Sequence, residues 1–215
     1  MARTLDDIYN FMRYIVRKER GVFLKTDDAM MALDNGQMNA YNEYFALYGK
    51  DQTIHDAIRP FRIYYPFTSD SSGLVTFPDG YLDLVGTPFT VTGSTVNEIK
   101  FLNEDELPFA LNSQLRPITN SYPIAVDTST GFSIYPQQTQ IGFFWYLRRP
   151  VTPVYAVVQS GRFIAFDATN SVELEWSDQY INNIIAKALK YVSIDMNEEG
   201  VFAFAQQYEQ ESKAT

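Results

Sequence analysis

The sequence predicts an α+β protein with an N-terminal helical hairpin, a central antiparallel β module of sandwich or barrel-like form, and C-terminal helices that pack with the N-terminal ones. Three observations carry this. Apolar residues recur at helical spacing up to Pro60. The period then falls to two, between glycines and prolines that mark turns. Helical spacing returns after Ser177 and runs almost to the C-terminus. The expected division is residues 1–60 for the first helices, 61–176 for the β-rich module and 177–215 for the last helices.

Thr4 is placed to cap the first helix, with Asp6 and Asp7 in its first turn, where negative charge meets the positive end of the helix dipole. Leu5, Ile8, Met12, Ile15 and Val16 form its apolar stripe, and Gly21 is its expected stop. Thr26 is the expected cap of a second helix, with a stripe of Met30, Leu33, Met38, Tyr41, Phe45 and Tyr48 and a stop at Gly49. Asn35-Gly36 interrupts it at a cost of about 1 kcal/mol for a mid-helix glycine, so one long helix is expected, with a break there as the alternative. Asp51 to Arg59 forms a short helical turn ending near Pro60.

Ile63 to Tyr65 begins the β module and leads to Pro66, then to a polar loop from Thr68 to Gly73. Tyr81 to Val85, Phe89 to Val91, Val96 to Leu102 and Ile124 to Asp127 read as further short strands. Glu104 to Asn112 reads as a short helix or turn over the sheet, limited by Pro108. The stretch from Phe132 to Val192 is the organising one. Gly131 to Pro136 is an apolar strand, and Ile141 to Leu147 follows with Phe143, Trp145 and Leu147 on one side and Phe144 and Tyr146 on the other. Both sides are apolar. Such a strand is either central in its domain or covered by a neighbouring subunit. Ser171 to Trp176 alternates as a half-buried strand, Ser177 caps a helix carrying Ile181, Ile184, Ile185, Ala188, Leu189 and Val192, and Asp195 to Glu211 is the last helix.

Hydrophobic residues at 46% against 20% charged exclude a disordered chain. An aromatic share of 15% is above what packing alone usually asks and suits subunit contacts, with a tyrosine-rich core as the equal alternative. The net charge of -9 argues against a dedicated nucleic-acid binder, yet it suits a surface along which DNA moves without sticking. With no cysteine, disulfides and thiolate metal sites are impossible. Met1 to Asp7 carries no long apolar run, so neither a secretion signal nor a membrane span is read there and cytoplasmic synthesis is expected.

No candidate chemistry outweighs a structural reading. His55 is the only histidine, with Asp51 as its one nearby partner. Glu104, Asp105 and Glu106 suit the start of a helix better than a cation site. Asp34-Asn35-Gly36 lacks the acids of a calcium loop. Glu173 and Glu175 sit on one strand face about 7 Å apart, a spacing that imitates a glycosidase pair. Arg148 and Arg149, before Pro150-Val151-Thr152-Pro153, suit carboxylate pairing within the protein or across a subunit boundary better than base stacking. No nucleotide, hydrolase or zinc-protease signature is present, and neither an enzyme, a cofactor nor a metal is expected.

The order of motifs is informative. The helix pair ending in Tyr48-Gly49 is followed by Phe77 to Tyr81 (FPDGY), the acidic turn Asn103 to Glu106, Ser121 to Ala125 (SYPIA), Ile134 to Pro136 (IYP), Tyr146 to Pro153 (YLRRPVTP) and Leu174 to Asp178 (LEWSD). This arrangement, from about Thr4 to Tyr208, resembles the head-to-tail connector proteins, also called adaptor or ring proteins, of short-tailed bacteriophages, particularly the crAss-like phages. The resemblance implies a ring, commonly of twelve copies, that docks on the portal protein and extends the DNA channel towards other tail or ring proteins. It implies no catalytic residue and no sequence-specific DNA binding. The subunit-interface candidates are Phe143, Phe144, Trp145, Tyr146, Arg148, Arg149, Pro150 and Tyr155. Gly36 and the apolar loop Gly161 to Asp167 depart from the pattern. A carbohydrate-binding or glycan-cleaving tail component and a minor capsid protein are the alternatives.

Overall fold

The computed structural model describes residues 3–20, 23–48, 52–160, 163–195 and 199–213. Two compact units divide the chain. The first combines Met1–Pro60 with Pro150–Thr215, and the second is Phe61–Arg149. The expected stops Gly21 and Gly49 lie outside the described residues, as do Asp51 and the first two residues of the loop Gly161 to Asp167.

In the first unit, α1 (Leu5–Arg20) opens as its composition requires. Thr4 Oγ1 accepts the Asp7 N–H at 3.2 Å while the Asp7 carboxylate accepts the Thr4 N–H at 3.1 Å, so two amides that the helix leaves over are satisfied reciprocally. The Thr4 hydroxyl also donates to the Asp7 carboxylate at 2.8 Å, and this bond first, then the Thr4 N–H, holds the Asp7 carboxyl below its ordinary range. Leu5, Ile8, Met12, Ile15 and Val16 are all buried. The second helix, α2 (Thr26–Ala46), departs from expectation at both its cap and its stripe. Lys25 is the N-cap, and the Thr26 hydroxyl lies 3.3 Å from the Tyr9 hydroxyl, to which it donates. Its buried face runs through Met30, Leu33, Gly36, Gln37, Ala40 and Tyr41, whereas Met38, Phe45 and Tyr48 are only half-buried.

Gly36 explains the shift. The helix continues through it unbroken and packs against α5 (Asp178–Asp195) so closely that a Cβ at position 36 would lie 2.9 Å from both Ala188 N and Ile184 O. The helical cost of glycine is offset by close contact of two backbones. From Tyr180 to Leu189 only Asn182 is not fully buried, because α5 packs against both α2 and α6 (Glu199–Lys213). Lys187 is enclosed there, and its Nζ donates to Glu43 Oε1 at 2.6 Å and to Asn39 Oδ1 at 3.1 Å. Glu209 joins the cluster 3.7 Å from Lys187 and pairs with Lys190. Opposite charges from three helices thus offset the desolvation of a buried ammonium. The short helix α3 (Gln52–Ile58) completes the N-terminal half of the unit.

Residues 150–176, expected in the β module, belong to this unit. Side chains at both ends explain it: Gln37 Nε2 donates to Val151 O at 2.9 Å, and the Glu175 carboxylate accepts the Val151 N–H at 3.1 Å. Ser171 to Trp176 is not a strand. It shares only the bridge Val154–Val172. The side chains still alternate, with Leu174 and Trp176 buried, but Glu173 accepts the Leu5 N–H at 2.6 Å and so anchors the segment to the start of α1 in place of a ladder. Residues 163–166, read as loop, form a strand paired antiparallel with residues 157–160. The last helix begins at Glu199, and α5 itself extends to Asp195.

The second unit is a two-sheet sandwich. One sheet has the order β1 (Arg62–Thr68), β8 (Ile141–Arg148), β3 (Tyr81–Thr92), β4 (Thr95–Glu98), and the other β2 (Leu74–Thr76), β7 (Gly131–Tyr135), β6 (Ile124–Thr128), β5 (Lys100–Phe101). Pairing is antiparallel except between β5 and β6. Pro66 does not end β1, because an edge strand tolerates a missing donor. Tyr81 to Val91 is one strand, not two, since a register shift between Val85 and Phe89 absorbs Gly86 at φ 74°. Val96 to Leu102 is two short strands, one in each sheet. Phe132, with no exposure, is the hub of the core and meets Phe67, Phe101 and Phe144 with ring centroids 5.7, 5.6 and 5.8 Å away. Burial of such a ring contributes about 1.5–3 kcal/mol. In the FPDGY turn, Phe77 stacks on Tyr81 at 3.7 Å, and burial, then the nearby Asp83, pushes the Tyr81 phenol up to about 12.

Candidate interaction surface

β8 is central in its sheet, so β1 and β3 set what each of its faces meets. Phe144 and Tyr146 point between the sheets and are buried with Phe67 and Phe132. Enclosed within the protomer, these two interface candidates leave no surface for a neighbour. Phe143 and Trp145 point the other way and are half-buried.

Register builds an aromatic strip on that outer face. Tyr64 of β1 is paired with Trp145, and Phe89 of β3 with Phe143. Tyr64 lies 5.5 Å from Phe143 and 5.6 Å from Trp145, Phe89 lies 5.4 Å from Phe143, and the Arg62 guanidinium sits 5.6 Å over Trp145. Tyr64 and Ile141 remain 53% and 62% exposed. These rings contact one another edge to face and by offset stacking; of the four only Tyr64 is exposed, and Phe89, Phe143 and Trp145 are half-buried. An apolar patch on the outer face of a sheet is a candidate interaction surface. Its edges carry mixed charge: Arg62 lies at one end, and the register puts the exposed Asp83 and Glu98 on the same face.

The other interface candidates lie elsewhere. Arg148 is half-buried, its Cζ 5.9 Å over Phe61 and its Nη1 donating to Arg149 O at 3.2 Å. Arg149 is exposed and Pro150 buried. Tyr155, half-buried in the helical unit, donates its hydroxyl to Asp6 Oδ1 at 2.6 Å and packs on Tyr9 and Phe166. Burial, followed by the Asp6 carboxylate, raises its phenol far above the ordinary range. It ties its segment to α1 within one protomer.

A second surface was not legible as such. After Glu104, Asp105 and Glu106, all exposed, the short helix α4 (Leu107–Leu111) and the residues beyond it turn Phe109 outwards at 80% exposure, Leu111 at 53% and Leu115 at 100%. The expectation that this segment covers the sheet is corrected. Pro108 fills its first turn and the helix is too short to lay a whole apolar face down, so Phe109 and Leu111 meet solvent while Leu107 is half-buried. Only the apolar residues between an acidic cap and the Ser113–Pro117 loop hinted at it. Beside it lies a groove of about 590 Å³ lined by Val96, Lys100, Leu102, Arg116 and Tyr122, with the Arg116 guanidinium 5.6 Å over the Tyr122 ring.

The remaining sequence candidates are engaged structurally. Glu173 and Glu175 each accept a backbone N–H, from Leu5 and Val151. His55 packs against Tyr48 with ring centroids 4.4 Å apart, and Asp34 Oδ1 accepts a bond from Gln37 at 2.8 Å. Among the described residues, no three of His, Asp or Glu gather as a metal site and no helix is long and apolar enough to cross a membrane. No family model matches the chain, and no curated protein matches it.

Proposed function

We propose that the chain is a structural virion protein, one subunit of an oligomeric ring at the portal–tail junction that extends the DNA channel and attaches the tail. The observation that carries this reading is the outer aromatic strip of Tyr64, Phe143, Trp145 and Phe89, which leaves Tyr64 and the neighbouring Ile141 exposed on a sheet face that a partner could cover. Motif order along the sequence supports it, and so does the net charge of -9, which repels phosphates in a channel that DNA must traverse. The reading places the protein at the head–tail junction of the particle, made in the cytoplasm of the bacterial host, with the portal protein and other tail proteins as partners. It involves no catalysis and no cofactor.

Image reconstruction of intact particles tests it. About a dozen copies in a ring between portal and tail are expected, and absence of the chain from that junction overturns the reading. Scores of copies distributed over the shell would instead make it a minor capsid protein. The exposed rings also favour one second reading, a carbohydrate-binding tail component, because flat aromatic faces suit sugar rings. Calorimetric titration with host-surface polysaccharide decides that case: heat lost on Tyr64→Ala supports it, and no heat removes it.

A further inference from the structure

Charge is unevenly distributed along the chain. Six of the 17 basic residues fall within the first 25 positions, together with only three of the 26 acids, so a net positive segment belongs to a chain of net charge -9. From Arg13 to Lys25 the sequence holds five basic residues and one acid, Glu19.

The fold turns this charge outwards. The apolar stripe of α1 is buried, which leaves Asn10, Tyr14, Arg17 and Lys18 exposed at i, i+4, i+7 and i+8, one side of the helix. Phe23 returns alongside. The Arg13 guanidinium lies 5.6 Å over the Phe23 ring and 5.9 Å over that of Tyr9, and the Tyr9 hydroxyl donates to Leu24 O at 3.1 Å. The exposed Lys25 therefore stands beside the same helix, and the exposed rings of Tyr14 and Phe23 lie among the cations. Among the described residues, no acid is within ion-pair distance of Arg13, Arg17, Lys18 or Lys25. Asp6 and Asp7 are at the other end of α1, bonded to Tyr155 and Thr4, and Asp27 and Asp28 open α2 beyond Lys25, the first exposed and the second half-buried. The helix dipole accounts for Arg17 and Lys18 in the last turn, but not for Arg13, a turn earlier, or for Lys25, beyond the helix.

We propose that this face of α1, with Arg13, Arg17, Lys18 and Lys25 as its contacts, binds the phosphate backbone of duplex nucleic acid without regard to sequence. Such binding goes beyond the ring reading and is independent of it. A net charge of -9 sets the field at a distance, but at about 0.15 M salt charges are screened beyond about 8 Å, so a phosphate at the helix meets the local cations and not the distant acids. Arg13, flanked by two rings, offers a planar fork that matches phosphate oxygens. A membrane is the poorer partner, because a helix that lies on lipid inserts an apolar face and that of α1 is inside the protein.

Fluorescence anisotropy of short labelled DNA duplexes of two unrelated sequences, titrated with the whole chain over a salt series, tests this. Equal affinity for both sequences is expected, with log Kd rising against log salt at a slope of about 3 to 4 for about four phosphate contacts. Arg17 and Lys18 are exposed, so Arg17→Gln with Lys18→Gln leaves the fold undisturbed. That pair should weaken binding about tenfold or more at low salt and lower the slope by about 2. Lys100→Gln with Arg149→Gln removes the same charge at exposed positions away from α1 and should leave binding nearly unchanged.

No binding at low salt overturns the proposal, as does equal weakening by the two double variants, because net charge and not this face would then be responsible. So does a chain that ignores the duplex but binds phosphatidylglycerol vesicles or polyglutamate through Arg17 and Lys18, since the face then serves a membrane or an acidic protein. Each of these outcomes leaves the ring reading standing, which copy number in the particle decides.

Discussion

The two faces of β8 are built from nearly the same side chains and have opposite fates. Phe144 and Tyr146 are 0% and 6% exposed because the second sheet lies over them, centred on Phe132. Phe143 and Trp145 have the same chemistry, yet they are half-buried, and the rings they meet belong to their own sheet, with the Arg62 guanidinium over Trp145. A strand pattern records that both faces are apolar, but not which one has a covering layer in the same chain. The difference lies in topology: β2, β5, β6 and β7 lie over the inner face, whereas on the outer face Leu147 and Val85 are buried but Phe143 and Trp145 stay half-buried. What the comparison teaches is that the inner face is closed by the second sheet, while the outer face is the one the proposed association would use.

The sharpest way to break this contrast is Phe144→Ala, which should lower the unfolding free energy by about 3–5 kcal/mol in a denaturant titration. Should the loss match that of an outer-face substitution, the two faces are not distinct. Close packing in the helical unit supplies a second calibration. Gly36→Val forces a side chain against the backbone of Ala188 and should cost about 1–3 kcal/mol, visible as a lowered thermal midpoint. Tyr64→Ser on the outer face should change the stability of the monomer by less than about 1 kcal/mol. Its effect should appear instead as reduced self-association by sedimentation.

The smallest expected effect concerns pH and is shared by neither face. Asp70 accepts the Ser72 hydroxyl at 2.6 Å and the Ser72 and Leu74 amides, each at 2.8 Å, and the Ser72 side chain is the first cause of its lowered pKa. A carboxyl lowered in the folded state contributes stability that is present above its unfolded value, about 4, and is lost as pH falls through the folded one. Asp70→Ala should therefore lower stability slightly at neutral pH, far less than Phe144→Ala does, and change it little in acid, which flattens the acid limb of the stability profile.

Helix positions were legible because caps and periodicity are local. Thr4 with Asp7, the stripe of α1 and the apolar face of α5 all follow from residues a turn or two apart. The face of α2 was less so. Its packing depends on a glycine and an alanine whose value lies in the partner helix, and Gly36 reads as a defect until Ala188 is opposite it. Ser171 to Trp176 shows the converse. Its alternation was correct as a burial pattern, but a ladder needs a neighbouring strand, and Glu173 and Glu175 bond to backbone amides of other segments. On the interaction surface, Phe143 and Trp145 were legible as apolar positions of one strand. Tyr64 and Phe89 were not, because only the pairing register brings them alongside.

The order of segments along the chain has a consequence for how the protein is made. Residues 61–149 interrupt the helical unit, whose pieces come from both ends of the sequence. Their two ends are neighbours, with Arg62 paired to Leu147. During synthesis this module emerges whole while the N-terminal helices still lack α5, so it can fold before its host is complete. The same geometry allows its excision: a short linker from Pro60 to Pro150 would leave the helices to fold alone, and the liberated module could be produced separately with its aromatic strip intact.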